Sequence, residues 1–297
     1  MIKTQSRTHN SKALPVGWVL PMLAVITFMS ACELINPDEQ IPTYLRIDQF
    51  NLTTNQASEG SARHKITDAW VYIDDQAIGA FELPARVPVP YSGSHKVTIY
   101  PGIKMNGISA TRVIYPFFTS YNQTLDLVPA ETITLNPTTT YTSFTQFAWM
   151  ETFDNAGFSL EKTSKSDTTM TKALTADIFE GKGSGRIYLD TGDTLFEAKS
   201  TDAFKLPKGE AIFLEMHYKC NHPFVVGLIA NGTQLTTQFP VFSFNPTTEW
   251  NKIYINLTQE VGNQNNIIDY NVFIGVSRDG SYAVNPEIFL DNFKLVY

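Results

Sequence analysis

Side chains capable of chemistry alternate along Ile212–Cys220. In an extended chain, Ile212, Leu214, Met216, Tyr218 and Cys220 point one way, and Phe213, Glu215, His217 and Lys219 point the other. The first set reads as core, which makes Cys220 a buried thiol and not a nucleophile. The second set is polar with one aromatic, as expected for either a solvated face or a binding face. Gly185–Leu189 alternates in the same way, with Arg186 and Tyr188 opposite Ile187 and Leu189. A sugar needs a flat aromatic surface with planar donors and acceptors around it. Arg186, Tyr188, Glu215 and His217 supply these if their strands are neighbours.

Other constellations are weaker. His217, Cys220 and His222 suggest metal ligands, but zinc requires four convergent ligands, or three and a water. His217 and Cys220 fall on opposite faces of a strand, and His222 precedes Pro223 at a turn, so zinc is not expected. Gly181-Lys182-Gly183-Ser184-Gly185 lacks the Gly-Lys-Ser/Thr ending of a phosphate loop, and Ser184 is misplaced for a nucleophile elbow. Hydrolysis of a glycoside needs two carboxylates across a cleft, and none of the acids has a recognisable setting. His9 lies in the leader and His64 and His95 in the first domain, so no Ser/His/Asp arrangement can be drawn. The chain is not expected to be an enzyme.

The amino-terminal stretch explains where these residues are displayed. Lys3, Arg7 and Lys12 precede an uncharged apolar run from Ala13 to Met29, which ends in Met29-Ser30-Ala31-Cys32. A basic end, a short apolar run interrupted by Pro15 and Pro21, and a small-residue site read as a secretory signal over residues 1–31. A membrane-spanning helix would need about 20 consecutive apolar residues. The whole chain has a formal net charge of −7, and the leader holds three bases and no acid, so the remainder is more acidic still. That excludes nucleic acid as a partner and any polybasic attachment to a membrane.

Positioning falls to β-strands. Thr, Tyr, Phe, Val and Ile recur in short alternating runs between Gly, Pro and Asn clusters, and this pattern means an all-β chain. The first domain is expected at 44–141, with strands at Tyr44–Leu52, Ala69–Ile73, Ala77–Leu83, Lys96–Tyr100, Arg112–Phe118, Gln123–Val128 and Glu131–Leu135. Asp74-Asp75 suits a tight turn. The second domain is expected at 147–297, with strands at Gly185–Leu189, Ala211–Cys220, Phe224–Ala230, Lys252–Leu257, Asn271–Val276 and Ile288–Val296. One helical turn is expected near Thr171–Phe179. Of the two cysteines, Cys32 belongs to the leader junction, so Cys220 has no partner and the fold does without a disulfide.

Three resemblances add to this reading. Met29–Cys32 resembles the lipobox of bacterial lipoproteins, particularly those of Bacteroidota. It implies cleavage before Cys32, acylation of Cys32, and a lipidated tether over 32–43. Glu33 at the next position implies the outer membrane, and the acidic pair Asp38-Glu39 resembles the surface-export signals of Bacteroidota lipoproteins, with periplasmic and surface orientations both open. Trp70–Asp75, Ile78–Pro84 and Gly93–Ile99 resemble small Ig/prealbumin-like or PEGA-like β-sandwiches. Trp250–Leu257, together with the closing segment Ile288–Val296 and its Asp291-Asn292 pair, resembles galactose-binding-like jelly rolls of the kind used by carbohydrate-binding modules. That likeness implies a structural Ca²⁺ held by Glu151, Asp154 and Asp291, although six or more oxygens are needed; no other cofactor is implied.

The expected function is thus a non-catalytic envelope lipoprotein whose jelly roll binds a glycan or protein ligand. The alternatives are an accessory subunit of an outer-membrane complex and, third, a glycan-active hydrolase.

Overall fold

A computed structural model describes residues 41–297. The leader, Cys32 and the tether up to residue 40 lie outside the described residues.

The first domain contains β1 (Thr43–Ile47), β2 (Asn51–Leu52), β3 (Asp68–Ile73), β4 (Gln76–Glu82), β5 (Ala85–Val89), β6 (Gly93–Lys104), β7 (Arg112–Ile114), β8 (Tyr121–Leu127), β9 (Thr132–Leu135) and β10 (Thr138–Thr139). Strands β4-β3-β6-β7 form an antiparallel sheet in that order, with β8 also paired to β6. A smaller sheet runs β5-β1-β9, with β1 and β9 parallel, and β10 pairs with β2. Leu45 and Ile47 of β1, Val71 and Ile73 of β3, and Val97 and Ile99 of β6 are fully buried in one core, so the two sheets close on each other. Asp74 and Asp75 both adopt positive φ, which is the geometry of a two-residue hairpin turn matched to strand twist. Strand β5 was not expected, and the anticipated strand over Arg112–Phe118 ends at Ile114. There the chain turns back, with Phe118 N–H donating to the Tyr115 carbonyl.

The second domain contains β11 (Phe147–Glu151), β12 (Leu160–Lys162), β13 (Thr171–Lys172), β14 (Gly185–Tyr188), β15 (Leu195–Ser200), β16 (Phe213–Cys220), β17 (Phe224–Gly232), β18 (Thr236–Phe244), β19 (Thr247–Asn256), helix α1 (Thr258–Gly262), β20 (Ile267–Ser277) and β21 (Glu287–Val296). It is a two-sheet β-sandwich with the jelly-roll character expected. One sheet runs β13-β14-β21-β16-β19, with β11 also on β21; the other runs β12-β15-β20-β17-β18. Ile187, Leu214, Met216, Leu228, Ile274 and Leu290 are buried between them. The helical turn expected near Thr171–Phe179 is a single 3₁₀ turn at Thr175–Asp177.

The domains are joined by a shared interior. Phe213, Tyr254 and Val296 of the second domain belong to the hydrophobic core of the first. Beside them, Glu215 is fully buried, and both the Tyr115 and Tyr141 hydroxyls donate to its Oε1 at 2.8 Å. Lys252 Nζ lies 2.6 Å from Glu215 Oε2, and Lys294 Nζ donates to the Ser61 carbonyl at 2.6 Å. Burial by itself would raise the Glu215 carboxyl, but Lys252, Lys294 and the donated hydroxyl bring it below its ordinary value of 4.5. Burial, partly offset by Glu215, lowers the Lys294 ammonium to about 8.

Replacing Glu215→Leu would leave two buried ammonium groups without a counter-charge, and should cost about 3–5 kcal/mol in urea denaturation. In the wild type, a carboxyl lowered by folding contributes stability that is present above pH 4.5 and lost as pH falls through its folded value. The Glu215→Gln protein should therefore show a shallower loss of stability in acid. A cost under about 1 kcal/mol for the leucine variant would contradict this account of the junction.

Candidate functional site

The four residues expected to form a sugar platform do not form one. Strands β14 and β16 are separated by β21, so Arg186 pairs in register with Phe289, and Phe289 with Lys219. Arg186 is committed to Glu287 at 2.6 Å, and its guanidinium lies 4.6 Å from the Tyr188 ring centroid. The Tyr188 hydroxyl accepts from Asn285 Nδ2 at 2.9 Å. Glu215 belongs to the domain junction described above. His217 is 3% exposed and stacks on Phe179 with ring centroids 4.4 Å apart. Burial, followed by the charges of Lys252, Lys294 and Arg63, holds its imidazole down at about 2, so it stays neutral. The inward half of the alternation holds as expected, with Ile212, Leu214, Met216, Tyr218 and Cys220 in the core. Of the outward half, Phe213 and Glu215 meet the first domain, His217 is covered by Phe179, and Lys219 pairs with Asp177 at the margin of the sheet. What stays open on this sheet is a cleft of about 450 Å³ near Asp177, Lys219, Asn221 and Phe289.

The expected calcium set is also corrected. Glu151 accepts from the Phe153 and Ser159 amides and the Ser159 hydroxyl, at 2.7, 2.5 and 2.6 Å. Asp154 accepts from the Lys182 amide, and Asp291 from the Ser184 hydroxyl at 2.6 Å and the Asn292 amide at 2.7 Å. These carboxylates serve as hydrogen-bond acceptors within the sandwich, and among the described residues no group of three or more His, Cys, Asp or Glu side chains could hold a metal ion. Asp291-Asn292 instead makes a bulge. Asn292 has φ 49°, and the β16–β21 register shifts between Glu215 and His217. Cys220 is buried, and burial raises its thiol to about 11, which leaves it protonated.

The outer side of the other sheet carries a groove, although Glu197 and Phe273 beneath it are themselves only 6% and 3% exposed. Phe196 and Ala198 of β15, Val226 and Leu228 of β17, and Val272 and Ile274 of β20 point into the core. Alternation therefore turns Glu197, Val225, Gly227, Phe273 and Gly275 outward. Registers place Glu197 beside Gly275 and Val225, and the next row runs Lys199, Phe273, Gly227, Pro240. The Phe273 ring packs against Gly227, where a Cβ would come within 2.4 Å of the ring and 2.3 Å of the Phe239 carbonyl oxygen, so only glycine fits.

This face is concave. In a flat sheet β15 and β18 would lie roughly 14 Å apart, three strand spacings of about 4.8 Å. Yet Gln238 Nε2 of β18 donates to Glu197 Oε2 of β15 at 2.7 Å, across both intervening strands. Thr163 Oγ1 donates to Glu197 Oε1 at 2.8 Å, and Lys165 Nζ donates to Gln238 Oε1 at 2.8 Å. Burial opposes ionisation of Glu197, but Gln238, Thr163 and Lys165 together bring its carboxyl below the ordinary value. The result is a groove of about 870 Å³ that carries a carboxylate, an amide and an ammonium above an aromatic floor. His222 stands at its margin, buried, with Nε2 accepting from the Asp279 amide at 2.9 Å and Nδ1 without a partner. Burial lowers this imidazole, so the neutral form is favoured; with Nε2 accepting, the proton sits on Nδ1.

Sequence reading passed over this face for local reasons. Strand β15 turns Ala198 and Ser200 inward, so its apolar alternation is faint. Strand β18 contains Pro240, which argues against an interior strand but is tolerated here because β18 is an edge.

No protein-family profile matches this chain, and no curated protein matches it in sequence. Solved structures similar to it include a family 29 carbohydrate-binding module mutant complexed with mannohexaose, at 10% identity and TM-score 0.33, covering 50% of this chain and 89% of that one. A second contains the CBM22-1 and GH10 modules of a Clostridium thermocellum xylanase with xylohexaose, at 13% identity and TM-score 0.38, covering 50% of this chain and 28% of that one. A third is the enzymatically active domain of bacteriophage CBA120 tailspike protein 4, at 11% identity and TM-score 0.36; the match covers 48% of this chain and 20% of that one.

Asp291 carries a further consequence. Burial, opposed by the Ser184 hydroxyl and the Asn292 and Glu180 amides, raises its carboxyl to about 7. An acid raised on folding holds its proton in the native state, so its stabilising contribution is present at low pH and is lost as pH rises from 3.8 towards 7. Carbon-detected NMR titration, assigned with the Asp291→Asn protein, should show a midpoint near 7. A midpoint near 3.8 would contradict that assignment.

Proposed function

We propose that this protein is a non-catalytic glycan-binding lipoprotein of the bacterial outer membrane, and that its ligand lies in the concave groove over β15, β20, β17 and β18. One observation carries the reading: the Gln238–Glu197 hydrogen bond spans the sheet and fixes planar polar groups along an open groove whose walls include Phe224, Val225 and Pro240, above a largely buried Phe273. Sugar recognition asks for such a surface, with an apolar floor for the C–H face of a ring and fixed donors and acceptors for its hydroxyls. The chemistry fits recognition better than hydrolysis. Glu197 is held in its ionised form by three donors, so it accepts hydrogen bonds and does not serve as the proton-donating acid of a glycosidase.

The membrane part of the proposal rests on Met29–Cys32. Acyl chains on Cys32 would give stable residence, at about 0.8 kcal/mol for each buried CH₂. The acidic body offers no basic surface to help. Replacing Cys32→Ser should abolish incorporation of radiolabelled palmitate and move the protein from the membrane to the soluble fraction; undiminished labelling would sink the lipid assignment.

The groove is tested by calorimetry of the detergent-solubilised full chain against a panel of neutral oligosaccharides. At least one should bind, and the double variant Lys165→Ala, Gln238→Ala should weaken it about tenfold or more, as expected for loss of hydrogen bonds to charged groups at about 1.5–3 kcal/mol. Failure of every oligosaccharide to bind, or full affinity in the double variant, would overturn the assignment.

A further inference from the structure

The two ends of the first domain have different neighbours. Strand β6 runs the length of that domain in 12 residues, roughly 40 Å of extended chain. At its end the chain meets the second domain, where Asn106 Oδ1 accepts from the Asn256 amide at 2.8 Å. At its start, Gly93 lies in register with Leu127 at the opposite pole. Residues 41–43 enter the domain at that same pole. Ala130 N–H donates to the Pro42 carbonyl at 3.1 Å, and the Thr43 hydroxyl donates to the Tyr91 carbonyl at 3.3 Å. The start of β1 is thus stitched to the β5–β6 and β8–β9 turns.

These turns are apolar where they face outward. Ile41 is 64% exposed and Val128 39%, with Pro90, Pro129 and Ala130 exposed beside them and Tyr91 half-buried. Three segments distant in sequence meet here because Thr43 pairs with Val89 and Tyr44 with Thr132. The surrounding charge is not basic. His95 is held by Asp74 at 2.6 Å and Lys96 by Asp75 at 3.1 Å, while Asp126 and Glu131 stand exposed at the rim. Apolar side chains with a tyrosine among them suit the headgroup level of a bilayer, and the acidic rim suits a zwitterionic one.

The anchor singles out this occupant. With acyl chains on Cys32, nine residue steps separate the lipid from Ile41. A fully extended chain covers at most about 3.6 Å per residue, so Ile41 stays within roughly 32 Å of the anchor. A surface tethered so closely meets the bilayer at high effective concentration, and a contact of a few side chains is then enough.

We propose that the pole formed by Ile41, Pro90, Tyr91, Val128, Pro129 and Ala130 docks into the headgroup boundary of a zwitterionic bilayer. The first domain then stands end-on as a strut and carries the second domain away from the membrane by roughly the 40 Å length of β6. This docking presupposes the acylated Cys32; the make-up of the pole does not.

The test uses full-length protein extracted from membranes and reconstituted into phosphatidylcholine vesicles whose acyl chains carry bromine, a quencher of tryptophan emission. Reporters are Val128→Trp at the pole and, as a control, Val284→Trp, at an exposed position of the second domain. The unsubstituted protein supplies the background. The protein should float with the vesicles. The Val128→Trp emission should shift to the blue and be quenched, the Val284→Trp emission should do neither, and high salt should change nothing. Adding Ile41→Asp, a change at another exposed side chain, should restore much of the quenched emission. Protein that floats with its Val128→Trp emission unquenched would overturn the docking and leave the anchor standing. A blue shift without quenching would overturn it in favour of a protein cover, such as a second copy of this chain. Quenching that requires phosphatidylglycerol, or that vanishes in high salt, would overturn the apolar contact. Protein that fails to float would overturn the anchor and the docking together.

Discussion

A carboxylate with no access to water must be surrounded by cations and donors or it will not stay ionised. Glu215 meets that condition with partners from both domains. Lys252 and Lys294 come from its own sheet, and the Tyr115 and Tyr141 hydroxyls come from the first domain. The junction therefore fixes how the domains sit, and it removes the lower half of one sheet from use as a binding surface. An interdomain cleft lies at its edge, lined in part by Lys65 and Lys252.

Curvature governs the other sheet. A hydrogen bond from Gln238 to Glu197 across two intervening strands requires the sheet to curl. The glycines beneath allow it: Gly227 leaves room for the Phe273 ring, and at Gly275 an added Cβ would approach Val225 to 3.2 Å. The bulge between Val226 and Gly227 opposite β18 adds local twist in the same region. Groove, floor and polar array thus share one cause, and the same curl that makes the face concave brings its functional groups together.

Much of the fold was legible in the residues. The alternation along Ile212–Cys220 assigned its core face correctly, and the Asp74-Asp75 pair marked the hairpin between β3 and β4. Strands β15 and β18 were not legible, because small inward residues mute the alternation of one and a proline interrupts the other. The candidate site was therefore sought on β14 and β16. Those strands look polar on one side in sequence, but β21 lies between them and the first domain covers much of that side.

By itself the sequence determined that this protein is all-β, how its residues divide between inward and outward faces, and that no familiar catalytic constellation occurs in it. A period of two shows which side chains share a face, because successive Cβ atoms must point oppositely along a strand. It carries no information about what lies opposite that face. Only the tertiary structure decided that the outward side of β16 meets tyrosines and an ion pair, that β15 and β18 reach each other over a concave sheet, and that Lys65 and Lys252 meet at one cleft. Those outcomes depend on strand order, twist and domain docking, which are set by long-range packing and not by local pattern.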